Sequence, residues 1–544
     1  MTDPPLTHGT GGPTPALATT SLMRSSAVVA VGTALSRVTG FVRIAAIAYA
    51  LGVTALAGTY SYANETPNIV YELLLGGVLT ATLVPLFVRH FEARDNDAAS
   101  AIFTVSMLVL LVVTVLGVVL APWIVRIYTL RVHDAHRAEQ QRLATSFLRL
   151  FMPQMLFYGI ATLATAMLNA RRRFAAAAFA PLLNNVVVIA VFLVLPHVVT
   201  GSLSVRNVLE NDGLIVLVGV GTTAGIAVMA LALLPPLRHA GVHLRFRPDW
   251  RHPAVVAMLR LSGWTVGYVV ANQIALLVVT VLANGTRGGP FVYISAYAFF
   301  QLPHGLFAVS LMTTFAPELA SAGARNDAAA LRAQLSRGLR LVAVVIVPAA
   351  AVFVGLARPI VGALLQRGAF SGSDASIVAE TLVAFAVGLL PFSAYLFLMR
   401  AFYSRQDTFT PFWLNCVENL VNVALAFPLY AWLGIPGLAL SFSAAYLVAA
   451  VLTLAVLSRR IGGVDGRRLA ATTTRTLAAG LAVAGVAWSA AHLFGWTSTG
   501  ASIAASTAGL VGGGMVYIGL LVLFRVDELR MLTTLLPARR GARV

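Results

Sequence analysis

A chain of 544 residues that is 58% apolar, only 11% charged and +0.84 in mean hydropathy cannot fold as a soluble globule, whose surface needs about a quarter charged residues. The composition is that of an all-α polytopic membrane protein. All 38 basic residues are arginine, and the net charge of +18 lies mainly between apolar runs, where membrane orientation accounts for it and nucleic-acid binding does not. With Cys416 alone there is no intrachain disulfide and no cysteine metal site or redox chemistry to consider.

Residues 1–25, rich in Thr, Pro and Gly and lacking the basic start and apolar stretch of a signal peptide, are predicted to be a disordered cytoplasmic tail. Fourteen apolar runs of about 20 residues or more follow as candidate spans, near 26–51, 59–90, 100–125, 144–170, 175–199, 213–237, 255–283, 290–320, 339–366, 374–403, 409–433, 435–458, 469–494 and 500–524. With both termini cytoplasmic, 25 arginines fall on the cytoplasmic side and eight opposite, as the positive-inside rule requires. The loop at 126–142, with Arg126, Arg131, Arg137 and Arg142 on the outer side, is the exception.

The first span contains SRVTGFVR, residues 36–43. A charge at the bilayer centre costs about 2.5–3.5 kcal/mol on insertion scales, so Arg37 and Arg43 require an explanation. Six positions separate them by about 9 Å along a helix and about 120° around it, too far for one narrow stripe but compatible with a wide aqueous cavity. Guanidinium stays charged at physiological pH and grips phosphate with two hydrogen bonds, which suits an anionic cargo. The alternative is that one or both lie near an interface and snorkel, or pair with Glu65 or Glu72 to hold helices together.

The second span places Glu65 ahead of Pro67, then Asn68 and Glu72, then Gly76 and Gly77. Proline and a glycine pair predict a kink that serves as hinge and binding surface. The glycines, like Gly221 and Gly225 in the sixth span and Gly509 and Gly513 in the last, read as helix-packing positions. The seventh and eighth spans supply Asn272, Gln273, Gln301 and His304, suited to hydrogen bonds between helices. In the eleventh span, Asn415, Glu418, Asn419 and Asn422 recur at three and four residues on one face, an oxygen-rich stripe for internal hydrogen bonds or for a cation or proton.

Two echoes lie six spans apart. LNARRRFAAAAFAPLLNN returns as FYSRQDTFTPFWLN, and ETPNI returns as QLPHG. An even offset preserves orientation, so they predict two parallel six-helix lobes, 26–239 and 255–458, joined by a basic cytoplasmic linker at 240–254. Two extra helices (469–524) and a basic cytoplasmic tail (525–544) complete the chain. No nucleotide loop, HExxH or GxSxG is present, so an enzyme is not expected and energy for transport must come from membrane potential or an ion gradient.

SRVTGFVR, TPNIVYELLLGGVLTATLVPLF, GYVVANQ, QLPHGLFAVSLMTTFAPELA and above all FYSRQDTFTP resemble the MviN/MurJ family of peptidoglycan lipid II flippases, of the superfamily that includes the MATE exporters. The resemblance runs from about residue 25 to 525. It implies 14 helices, two lobes around a central cavity, a bacterial cytoplasmic membrane, and alternating access that carries undecaprenyl-pyrophosphate-linked muropeptide outward. It assigns Arg37 and Arg43 to the cavity, with Glu65, Asn68, Glu72, Gln273 and Gln301 as further substrate-binding candidates. Arg405, Gln406 and Asp407 form the family motif loop, and Asn415, Glu418, Asn419 and Asn422 the candidate site for a coupling cation, Na+ or H+. The last two helices are expected to hold the lipid tail. Membrane lipids and other cell-wall synthesis proteins are the further partners expected. Gly58, Tyr71 and Ala298 replace charged residues usual in proteobacterial members, so the charge map of those members does not transfer. The rival readings are a MATE-like exporter of small cations, which would depend on the glutamates, and a non-transporting scaffold for wall synthesis, which would depend on the loops.

Overall fold

The computed structural model describes residues 15–72, 83–92, 96–132, 137–261 and 263–529, and every regular element among them is helical. The first half of the chain contains α1 (Pro15–Leu51), α2 (Ala55–Tyr71), α3 (Val84–Glu92), α4 (Asn96–Tyr128), α5 (Arg137–Phe151), α6 (Gln154–Ala170), α7 (Phe174–Val198), α8 (Val205–Leu209), α9 (Asp212–Leu231) and α10 (Leu234–His239). The second contains α11 (Pro253–Leu261), α12 (Gly263–Ala283), α13 (Gly289–Pro303), a π-helical turn (His304–Ala308), α14 (Val309–Ala324), α15 (Ala328–Leu365), α16 (Gly372–Val387), α17 (Leu389–Ser404), α18 (Phe409–Leu433) and α19 (Ile435–Ile461). Two further helices follow, α20 (Gly466–Phe494) and α21 (Thr499–Leu523).

Among the described residues, eleven helical stretches are long and apolar enough to cross a bilayer, and twelve if α16 and α17, which meet at 45°, count as one broken span. The remaining two of the fourteen predicted spans correspond to α2 with α3 and to α11 with α12, where Gly267–Ala283 is the apolar part. Gly76 and Gly77 lie outside the described residues, as do most of the predicted C-terminal tail and residues 1–14 of the N-terminal one.

Three features differ from the sequence reading. Residues 15–25, predicted to be disordered, belong to α1: Pro15 starts the helix with φ already set, and Ala, Leu and Met then favour it. The fourth span begins earlier, at Arg137, and breaks at Met152 and Pro153. In the eighth, Pro303 is followed by a π-helical turn, which widens the helix by a residue and turns Gly305 toward α1.

Small residues set the closest helix contacts. Gly32 lies against Ala178, and Asn185 of α7 donates to Ser36 O at 3.2 Å and Thr39 Oγ1 at 3.0 Å, fixing α1 on α7. Gly221 and Gly225 sit over Val191 and Asn184 of α7, and Gly509 and Gly513 over Leu356 and Val483. The packing role read for these four glycines is therefore what the structure shows. Deep in the second half, Phe300, Phe385, Phe392, Phe442 and Tyr446 form a cluster of mutually contacting rings.

One place where the two halves meet is the end of the bundle at which α1 finishes and α16 begins. Here Ala369 N–H donates to Tyr49 O at 2.8 Å, Val53 N–H donates to Asp374 Oδ2 at 3.3 Å, and Asn284 Nδ2 donates to Tyr128 O at 2.9 Å. Asp374 also receives the amide of Ser371, the N-cap of α16, at 2.9 Å, so one carboxylate closes a helix cap and clasps the turn after α1. Gly52, at φ +58°, makes that turn, and a Cβ there would collide with the carbonyl of Ala369.

Gly52→Ala therefore pays for both left-handed backbone and a backbone collision, whereas Gly241→Ala, at φ +76° with open space around it, suffers only the backbone cost of about 1–2 kcal/mol. Thermal unfolding of the purified protein in detergent is expected to show a lower Tm for both, with the larger drop for Gly52→Ala. Equal shifts would mean that the contact between halves contributes nothing measurable.

Candidate functional site

Between the halves lies a cavity of about 360 Å3. Its polar lining comes from Glu65 and Glu72 of the second span, Asn272 and Gln273 of α12, and Glu418, Asn419 and Asn422 of α18; Tyr62, Tyr293, Tyr297, Phe442 and Tyr446 supply much of the rest. Three of the substrate-binding candidates, Glu65, Glu72 and Gln273, and three of the cation-coupling ones, Glu418, Asn419 and Asn422, read as separate groups in the sequence, thus share one chamber, whereas Arg37, Arg43, Asn68, Gln301 and Asn415 are not part of its lining.

Its hydrogen bonds explain the spacing. Asn68 Nδ2 donates to Glu65 Oε1 at 3.2 Å one turn away on α2. Gln273 Nε2 donates to Glu72 Oε2 at 2.7 Å, a charge-assisted bond joining the two halves. Asn272 Nδ2 donates to Asn415 Oδ1 at 3.1 Å, and its own Oδ1 accepts from Asn415 and Asn419 Nδ2, each at 3.3 Å. Asn422 Oδ1 accepts from Ser441 Oγ at 3.0 Å. The stripe read on α18 is real: all four of its residues are buried, with Asn415 behind the cavity as a support for Asn272.

Three polar atoms of the lining are left out of this network among the described residues, Gln273 Oε1, Tyr62 Oη and Glu418 Oε2, and of these only Glu418 belongs to an acid. It is 1% exposed, and its Oε2 has no hydrogen-bond partner among the described residues. A carboxylate in this position needs a proton or a cation, because an unpaired buried charge is costly. Among the described residues no three acidic, His or Cys side chains gather closely enough for a multivalent metal, so the oxygens available to a cation here are mostly amides and hydroxyls.

The arginines lie elsewhere, and they diverge. Arg37 is exposed on α1 and lays its guanidinium over Gly305 of the π-helical turn, in space that any side chain at 305 would occupy. Arg43 is half-buried and close enough to act electrostatically on Glu65, Tyr60 and Tyr158. Neither forms an ion pair among the described residues, so the alternative that they pair with Glu65 or Glu72 to hold helices together does not apply. Nor do they line the polar cavity. Gln301 donates to Tyr297 Oη at 2.5 Å one turn back on α13, and His304 Nδ1 lies 3.0 Å from Ser393 Oγ of α17, which ties the π-helical turn beside Arg37 to that helix. Gly305 was the residue that sequence reasoning missed, although it stands next to His304 in QLPHG; only the three-dimensional approach of α1 reveals its use.

On the far side of the same turn, Pro303 and Phe307 border an apolar groove of about 650 Å3 whose other walls include Val352 of α15, Val483 of α20 and Leu510 and Tyr517 of α21. The turn therefore separates a cationic surface from an apolar one.

The motif loop performs a structural task. Arg172 and Gln406 occupy matching left-handed positions (φ 57° and 59°), and in both turns the next amide, of Arg173 or Asp407, reaches back to Leu168 O or Phe402 O. In the second turn Asp407 Oδ1 accepts from Thr410 N–H at 3.0 Å and Oδ2 pairs with Arg460 at 2.6 Å. Partial burial pushes the Asp407 carboxyl up, but the Thr410 and Arg460 hydrogen bonds outweigh it and hold it below the usual range. Arg405 and Gln406 are exposed.

A polytopic bundle with a polar chamber between two helical halves, a cationic face and an apolar groove is the architecture of a membrane transporter. The family model for the lipid II flippase MurJ matches residues 47–505, and the chain belongs to that family. It is 30% identical over 444 residues to a probable lipid II flippase of Rhizobium meliloti, covering 80% of this chain and 81% of that one. It is 28% identical to that of Vibrio cholerae, covering 94% and 98%. Among solved structures it is similar to an inward-closed lipid II flippase MurJ (TM-score 0.72, 19% identity, 93% of this chain and 99% of that one). It is also similar in fold to an inward-facing multidrug MATE transporter (TM-score 0.63, 14% identity, 78% and 94%). The family is one of flippases rather than of catalytic enzymes.

Because the folded pKa of Asp407 is depressed, its contribution to stability is complete above the unfolded value of about 3.9 and is lost as pH falls through the lower folded value. Asp407→Asn is thus expected to lower Tm at pH 7 by a few degrees, with the difference shrinking as pH is lowered below about 3.9. A pH-independent shift would mean that the charge of Asp407 contributes nothing measurable to stability.

Proposed function

We propose that this protein moves lipid II, a lipid-linked diphosphate muropeptide, from the inner to the outer leaflet of the bacterial cytoplasmic membrane. Arg37 and Arg43 attract the diphosphate, and the polyprenyl chain occupies the apolar groove beside α20 and α21. The observation that carries this reading is the π-helical turn: Arg37 lies over Gly305, while Pro303 and Phe307 border the groove. One amphiphile with an anionic head and a long apolar tail satisfies both sides at once, as neither a small cation nor a soluble anion would.

Both termini are cytoplasmic in this reading, supported by the arginine distribution. The contacts from Tyr49, Val53 and Tyr128 to the second half then close the outer end, which corresponds to a state that receives cargo from inside. The driving cation, Na+ or H+, binds at Glu418 among Asn419 and Asn422, and its arrival is felt by the halves through the chamber that also holds Glu72 and Gln273. Three glutamates in one chamber also support a second reading, an exporter of small organic cations, for which the arginines would be an obstacle.

Accessibility of lipid II on the outer face of cells depleted of the protein separates the two. Complementation with Arg37→Ala or Arg43→Ala is expected to leave the precursor inside at normal protein levels, each lost phosphate contact weakening binding by about 10- to 100-fold. Gly305→Ala, which displaces the Arg37 guanidinium rather than the backbone, is expected to impair export in the same direction with an unchanged Tm. Lipid II reaching the outer face in depleted cells without complementation, together with export of a small organic cation that is lost on Glu418→Gln, would favour the cation exporter.

A further inference from the structure

The clasp on the turn after α1 comes from one short stretch of the second half: Gly368 and Ala369, in the turn between α15 and α16, and Asp374, in the first turn of α16. The amide of Ala369 donates to Tyr49 O, and a Cβ at Gly368, whose φ is +61°, would meet the ring and the carbonyl of Tyr49. A seam this close depends on where the turn is held.

Arg358 holds it. Half-buried in α15 about two turns before its end, Arg358 forms no ion pair among the described residues, and its nitrogens each donate to a different residue: Nε to Ser376 Oγ at 3.1 Å, Nη1 to Gln366 Oε1 at 3.2 Å and Nη2 to Gly372 O at 2.9 Å. Gln366 is the C-cap of α15, and Gly372 and Ser376 lie in the first turns of α16, so one planar fork ties both ends of the turn together. Ser376 Oγ in its turn donates to Gly372 O at 3.2 Å. The fork acts where α15 is weakest, because Pro359, the next residue, has no amide to offer the carbonyl one turn back. Gly362, one turn further on, gives the guanidinium its room: a Cβ there would lie 2.9 Å from Nη1, 3.2 Å from Ser502 Oγ of α21 and 3.3 Å from Gln366 Oε1.

We propose that Arg358 is a positioning residue of the outer closure. It touches neither cargo nor the first half, but its three hydrogen bonds present residues 366–374 to Tyr49 and Val53, and without them the halves part at this end. The arrangement of donors matters here and the charge does not, so lysine is no substitute. The proposal rests on the reading of this seam as the outer closure.

The test uses the full chain with Cys416→Ser, in nanodiscs free of lipid II, so that its outcome is independent of what the protein carries. Nitroxides at Leu130→Cys, just beyond α4, and Trp432→Cys, near the end of α18, are both exposed and on opposite halves, and double electron–electron resonance gives the distance between them. Arg358→Gln and Arg358→Lys are each expected to raise the fraction at longer distance about fivefold. Gly362→Ala, which pushes the guanidinium aside while favouring the helix, is expected to open the seam in the same way with an unchanged or higher Tm, which a purely structural role for Arg358 does not predict. Asp374→Ala is expected to open the seam by itself, and Arg358→Gln added to it to open it no further. An unchanged distance in either Arg358→Gln or Gly362→Ala, whatever its Tm, would overturn the proposal. So would an effect of Arg358→Gln that is equally large with and without Asp374, and full closure in Arg358→Lys would overturn the part assigned to the fork.

Discussion

Fixed positive charge inside a hydrocarbon-spanning helix is the constraint around which this structure is organised. No carboxylate pairs with Arg37 or Arg43 among the described residues. The fold therefore keeps one side of α1 open. Gly32, Ser36 and Thr39 press the helix closely onto α7, which leaves the opposite side, with Val31, Leu35 and Val38, unpacked and lets Arg37 reach the backbone of Gly305. A guanidinium over a glycine in a widened turn is held in place without being satisfied, which is what an anion-binding group requires.

The opposite charge is handled differently. Glu72 is bonded by an amide from the other half and Glu65 by an amide on its own helix, while Glu418 has a free oxygen in a chamber of amides and tyrosines. Cationic and acidic groups are thus kept in adjacent but separate spaces. Merging them would form ion pairs of the kind that lock helices together, and a carrier must avoid that if its halves are to move.

The contacts between halves have a matching character. They include turn-to-turn hydrogen bonds and glycine approaches near Gly52, Asn284 and Gly288, the bond from Gln273 to Glu72 and one ring contact, Phe41 on Phe299, while the large aromatic cluster lies within the second half. Backbone groups at such a seam can exchange their partners for water at small net cost, whereas parting an interdigitated apolar core would not be reversible on a transport cycle.

The sequence by itself determined the membrane class, the positions of most spans, the packing role of Gly221, Gly225, Gly509 and Gly513, and the buried face of α18, because hydropathy and spacing along one helix are local properties. It also carried the family, through motifs that survive as words. Only the tertiary structure decided which polar residues share a chamber, that Arg37 and Arg43 turn toward different halves, and that Gly305 lies beneath the first of them. Each of these depends on how far apart and at what angle two helices from distant parts of the chain come to rest. Nothing in the periodicity of either helix encodes that, because it is set by the small residues and turns through which they meet.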